Sequence, residues 1–141
     1  MNAHLGGINM RKTNQKGFTI IELLVVIVII GILVALALPQ LFAAQARGRD
    51  TDRKNDLKNI SQQLETYYND NDGAYPDDLD TLVTEGLLGA IPTDPKADRT
   101  YEYASDGASF TLAADLENDK DTSATTYDGE EGWYVINSVN Q

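Results

Sequence analysis

The sequence predicts an α+β fold, a long N-terminal α-helix packed on a small C-terminal antiparallel sheet, and three observations lead to it. Residues 18–38 read FTIIELLVVIVIIGILVALAL, in which 18 of 21 positions are apolar. Beyond that run, Leu57, Ile60, Leu64, Tyr67 and Tyr68 recur at three- and four-residue intervals, the stripe of an amphipathic helix. Late in the chain, three short segments alternate apolar and polar residues around turn-forming ones. The whole is 141 residues long, which suits one modest core and leaves no room for two ordinary domains.

The first 17 residues are polar and basic, with Arg11, Lys12 and Lys16 and no acidic residue. That is the charge pattern of a segment kept on the cytoplasmic side of a membrane. The apolar run that follows would form a helix about 30 Å long, enough to cross a hydrocarbon core. Ala35-Leu36-Ala37 imitates a signal-peptidase site. However, a secretory signal's apolar region spans only roughly 7 to 15 residues, and this run is longer and carries a charge, Glu22. A simple one-pass anchor accounts for the length and gives Glu22 no reason to exist. A carboxylate in the middle of a membrane helix costs about 2.5 to 3.5 kcal/mol, so it marks a function or a partner. No Lys or Arg lies inside the run to pair with it. Cutting the chain between Gly17 and Phe18 would create one, an α-amino group with a pKa near 8, belonging either to the same chain or to a neighbouring copy.

Lys16-Gly17-Phe18-Thr19-Ile20-Ile21-Glu22-Leu23 resembles the leader junction of type IV pilins and type II secretion pseudopilins, with Gly before the cut, Phe after it and Glu at the fifth mature position. Pro39 falls where these proteins carry a helix-bending proline. The resemblance implies a pilin fold, removal of residues 1–17 and N-methylation of Phe18 by a prepilin peptidase. It also implies assembly into a helical filament through Glu22, Pro39 and the packed N-terminal helices. Residues 18–39 would then be the membrane-spanning and filament-core helix, and residues 40–141 a periplasmic or extracellular globular domain.

Pro39 lacks the N–H for a helical bond and clashes with the preceding turn, so a kink or local melting is expected at residues 36–39, with the helix resuming beyond. The stripe on the second half then packs on the chain's own sheet. Residues 40–60 carry a net +2 (Arg47, Arg49, Arg53, Lys54 and Lys58 against three acids), whereas residues 61–141 carry −15. Arg47 and Arg49 are candidates for lipid headgroups before assembly or for acidic surfaces of neighbours afterwards. Asp70-Asn71-Asp72-Gly73 should stop the helix. A short helix is expected next, capped by Asp77 or Asp78, with Leu79, Leu82, Val83, Leu87 and Leu88 making its contacts and Gly86 or Gly89 ending it. Residues 73–95 resemble the link between helix and sheet in the major, G-type pseudopilins of type II secretion. The sequence after Asp94-Pro95 departs from them, with Lys-Ala-Asp-Arg in place of the usual Trp-Gly step.

Strands are expected over residues 100–104, 109–116 and 133–139, the first two joined by a two-residue turn at Asp106-Gly107. Residues 117–132, rich in carboxylates and threonine, read as a surface loop. Its functional reading is calcium, since carboxylates and carbonyls are the hard oxygen ligands that ion prefers, and a long loop without a disulfide needs some other clamp. The resemblance implies calcium in this region too, and Asp115, Asp119, Asp121 and Asp128 are the candidate ligands. Neither acidic stretch has the carboxylate spacing of an EF-hand.

Zero cysteines and a single histidine, His4, leave little for catalysis, which argues against an enzyme. A net charge of −11 argues against nucleic acid as a partner. The function expected is a structural subunit of a type IV-like filament, in particular the major pseudopilin of a type II secretion system. A type IV pilus subunit is the alternative, and a single-pass membrane-anchored binding module the reading of a different class. The implied partners are further copies of the chain, prepilin peptidase, an inner-membrane assembly platform and minor pseudopilins. The implied location is the bacterial inner membrane, crossed once with the leader cytoplasmic.

Overall fold

A computed structural model describes residues 17–138. Helix α1 spans Ile20–Asp70, α2 spans Asp80–Thr84, and four strands follow: β1 Glu102–Ser105, β2 Phe110–Asp115, β3 Thr125–Tyr127 and β4 Glu130–Asn137. The strands form one antiparallel sheet in the order β1-β2-β4-β3. The chain divides into two compact units, one ending at Leu38 and the other beginning at Pro39. The α+β expectation holds.

The helix runs through Pro39 without interruption, so the local melting expected at residues 36–39 does not occur. A proline removes only its own N–H from the ladder, and here it is flanked by Ala, Leu and Gln, all good helix formers. Asn71 and Asp72 end α1 as expected. Asp72 takes a left-handed φ of 54°, and the Gly73 N–H donates to the Tyr68 carbonyl at 3.0 Å.

In the second unit the stripe on α1 does what its spacing predicts. Leu57, Ile60 and Leu64 are fully buried against Tyr75, Leu82, Leu88, Phe110, Leu112 and Ala114, with Tyr67 and Tyr68 packed at the margin. The short helix also forms; its N-cap residue is Leu79, and Asp78 just before it holds the first turn. The Asp78 Oδ1 accepts the Thr81 N–H at 2.9 Å and the Thr81 hydroxyl at 2.8 Å. Strand β2 lies between β1 and β4 and is buried on both sides, Ala113 included.

Three details of the sheet differ from expectation. The β1–β2 connection has four residues, not two. Asp106 Oδ1 accepts the N–H groups of Ala108 and Ser109, and Ser105 pairs with Phe110. An Asp that wraps two later amides favours a longer turn than the Asp-Gly pair alone suggests. Strand β4 begins at Glu130 and ends at Asn137, so the expected strand over 133–139 is shifted, and its residue 139 lies outside the described residues. Strand β3 lies within the stretch read as loop. Asp128 and Gly129, with φ of 50° and 84°, form the two-residue turn that joins β3 to β4, and Tyr127 pairs with Glu130 across it. Both central positions of such a turn need positive φ, which Asp-Gly supplies. Gly132, with φ 98°, is the extra residue of a bulge in β4, since Thr126 pairs with Glu131 and Thr125 with Trp133.

Leu64 has no exposed surface and sits at the centre of the helix–sheet contact. Leu64→Ala should cost about 2 to 5 kcal/mol in chemical denaturation. A loss below about 1 kcal/mol would contradict this packing.

Candidate functional site

In the first unit the large apolar side chains are exposed. Phe18 is 91% exposed, and sixteen such residues from Phe18 to Leu38 are exposed, as are Leu41 and Phe42 at the start of the second unit. A helix apolar on all sides belongs in lipid or among other helices. Length and composition suit a membrane crossing.

At the start of α1, Thr19 and Glu22 close on each other. The Thr19 N–H and hydroxyl both donate to Glu22 Oε2 at 2.8 Å, and the Glu22 N–H donates to the Thr19 hydroxyl oxygen at 3.3 Å. This is a capping box, Thr at the N-cap and Glu at the third helical position, which satisfies amides that the first turn leaves open. The expected amine partner requires a chain end at Phe18. With the chain continuous through Gly17, Glu22 is held by its own helix terminus. Thr19 was not among the candidate residues, although the Thr-x-x-Glu spacing signals it. Gly17 and Phe18 are exposed, and a side chain at position 17 would meet nothing. The basic leader residues Arg11, Lys12 and Lys16 lie outside the described residues.

A second constellation, in the globular unit, was not foreseen. Arg53 is wholly buried on α1. Its Nε and Nη2 donate to the two oxygens of Asp94 at 2.6 and 2.8 Å, and its Nη1 donates to Asp50 at 2.7 Å and to Glu117 at 2.8 Å. Glu117 also accepts two bonds from Arg49, at 2.7 and 2.6 Å, and meets Lys96 Nζ at 2.8 Å. Three cations thus face three carboxylates. Asp50 accepts in addition the N–H groups of Glu117 and Asn118, each at 2.9 Å. The hydrogen bonds from Arg49, reinforced by Lys96 and Arg53, hold the Glu117 carboxyl well below the ordinary carboxylate range despite its burial. Burial pushes the Asp94 carboxyl up, and Arg53 outweighs it, leaving the group below its ordinary value.

The four candidate calcium ligands do not converge. Asp115 ends β2 and pairs with Arg99 at 2.8 Å. Asp121 accepts from Lys54 Nζ at 2.5 Å and from the Ser123 N–H and hydroxyl. Asp119 lines a cleft with Asp121 and Glu131, while Asp128 sits in the β3–β4 turn beside a different one. Among the described residues, no three of Asp, Glu, His and Cys are grouped so as to hold a metal ion. As placed, these side chains do not fit a calcium site.

Residues 12–38 match the family model of the prokaryotic N-terminal methylation motif. Among curated relatives, the chain is 35% identical over 127 residues to type II secretion system core protein G of Pseudomonas aeruginosa, covering 75% of this chain and 88% of that protein. It is 32% identical over 126 residues to the Vibrio cholerae protein of the same name, covering 75% and 84%. It also resembles the type IV wide pilus major component PilA4 of Thermus thermophilus, 43% identical over 74 residues that cover 52% of this chain and 56% of the other.

The buried ionic cluster has two measurable consequences. Arg53→Met, which leaves buried Asp50 and Asp94 without their cation while Glu117 keeps Arg49 and Lys96, should lower stability by about 3 to 5 kcal/mol; a change within about 0.5 kcal/mol would contradict the cluster. Glu117 and Asp121 titrate below their ordinary 4.5 and 3.8 in the folded unit, Asp121 at about 2, through Lys54 and Ser123. Their contribution is therefore complete above about pH 4.5 and is lost as the pH falls towards about 2. The melting temperature should drop across that window, and a flat profile would count against these pairs.

Proposed function

We infer the function from the family: the chain belongs to the pilin-like family of type II secretion system core protein G. It is a structural subunit of a filament of the type IV pilin kind, the major pseudopilin of a type II protein secretion system. The observation that carries this reading is the uncovered apolar helix that begins just after Gly17 and has a single carboxylate, Glu22, in its first turn. The likeness to core protein G spans more of the chain than the likeness to pilus components, which supports the secretion filament over a pilus. The relatives are secretion and pilus components, which supports a structural role rather than a catalytic one.

The sequence of events combines the processing that the family implies with electrostatics. The basic residues ahead of Gly17 keep that end on the cytoplasmic side and leave the globular unit on the other. Prepilin peptidase cuts between Gly17 and Phe18 and methylates the new amine. The freed amine is largely cationic at neutral pH, so Glu22 exchanges a partner within its own cap for a charged one. A carboxylate in hydrocarbon is costly, and an amine on a neighbouring copy lowers that cost. Lipid tails are as apolar as Leu and Ile and do not themselves drive helices together, so this charge pair supplies selectivity that the apolar surface lacks. Side-by-side helices then bury the residues from Phe18 onwards, with Pro39 near the point where the filament core gives way to the globular unit.

Two substitutions separate cleavage from assembly. Gly17→Asp should leave a full-length precursor in the membrane and abolish filaments, read by the mobility of the chain and by electron microscopy of sheared fractions. Glu22→Ala should permit cleavage and impair polymerisation. Normal filaments built from uncleaved chains would overturn this reading in favour of a simple anchor.

A further inference from the structure

We propose that the helix's own cations close the segment between β2 and β3, and that this globular unit holds its C-terminal hairpin without a bound calcium ion. A long loop needs a clamp to offset the entropy of closing it, and this chain has no disulfide to serve. The structure places four charged residues of α1, Arg49, Asp50, Arg53 and Lys54, against the segment. Residues at this spacing share one side of a helix. They grip the loop at two points.

The first grip is at its start. Asp50 accepts two successive backbone N–H groups, those of Glu117 and Asn118, while Arg49 and Arg53 hold the Glu117 carboxylate. The second is in its middle. Lys54 Nζ binds Asp121 Oδ2 and lies 5.6 Å from the centre of the Tyr134 ring, so strand β4 positions the ammonium as well. Asp121 Oδ1 is occupied by the N–H and hydroxyl of Ser123, which folds the loop back before β3.

Calcium takes six to eight oxygen ligands, with carboxylates prominent among them. Here three of the loop's carboxylates, Asp115, Glu117 and Asp121, are already engaged. Asp115 faces Arg99, both Glu117 oxygens face cations, and both Asp121 oxygens are bonded. Only Asp119 and Glu131 remain in the cleft beside Asp121. A calcium ion would have to displace an ammonium tethered to the helix, and gain two free carboxylates for it. The clamp also uses the charge imbalance along the sequence, in which residues 40–60 carry a net positive charge and nearly all that follows is acidic.

The test uses the full-length chain in detergent micelles, with millimolar calcium in one arm and a chelator in the other. The readouts are the melting temperature and hydrogen exchange of residues 117–124. A ligand that binds only the native state must raise its melting temperature. The proposal expects the same melting temperature and the same exchange in both arms, and exchange several-fold faster in Lys54→Met whichever arm is used. Calcium raising the melting temperature by several degrees, or slowing exchange of the loop, would overturn it. So would a Lys54→Met chain whose loop exchanges at the unaltered rate.

Discussion

Eighteen large apolar side chains from Phe18 to Phe42 stay exposed at the N-terminal end of α1. Burying each is worth about 1.5 to 3 kcal/mol, so together they outweigh the net stability of an ordinary domain. This surface must lie in a bilayer or among other copies of itself, and the rest of the molecule is arranged around that demand. The second unit holds a core of its own. Glu22 is the one carboxylate within this apolar run, and Thr19 caps it.

The second half of the same helix obeys a different constraint. It has one apolar stripe, which its own sheet covers, and a charged side that its own loop covers. Arg53 joins the two, being buried like a core residue yet bonded only to carboxylates. A buried ionic cluster as a whole adds little net stability over well-packed apolar side chains in its place. What it adds here is definition, because Asp50, Asp94 and Glu117 come from the helix, the connecting segment and the end of the sheet, and one side chain fixes all three.

The parts legible in the sequence were those written in local spacing. The apolar run, the Leu57–Ile60–Leu64 stripe and the short helix whose first turn Asp78 holds all rest on neighbours within a turn or two. Strand β3 was signalled by Asp128-Gly129, but its residues Thr125 to Tyr127 are polar and largely exposed, so no alternation of apolar residues drew attention to them. The Thr19–Glu22 cap is legible too, in the Thr-x-x-Glu spacing at the start of the helix. The Arg53 cluster has no such signature. It joins positions 50, 53, 94 and 117, which only the tertiary fold brings together. The acidic loop illustrates the same limit, because composition shows carboxylates available for a cation and only the structure shows Lys54 and Arg49 already there.

The most direct test of the account is intact-mass and N-terminal analysis of the chain recovered from its native membrane or sheared surface fraction. A subunit whose helix leaves the bilayer for a filament through Glu22 must first acquire its amine at Phe18. The account predicts a chain that begins at Phe18 and carries one extra methyl group. A chain that begins at Met1 would contradict it, and would leave the apolar helix as a permanent anchor.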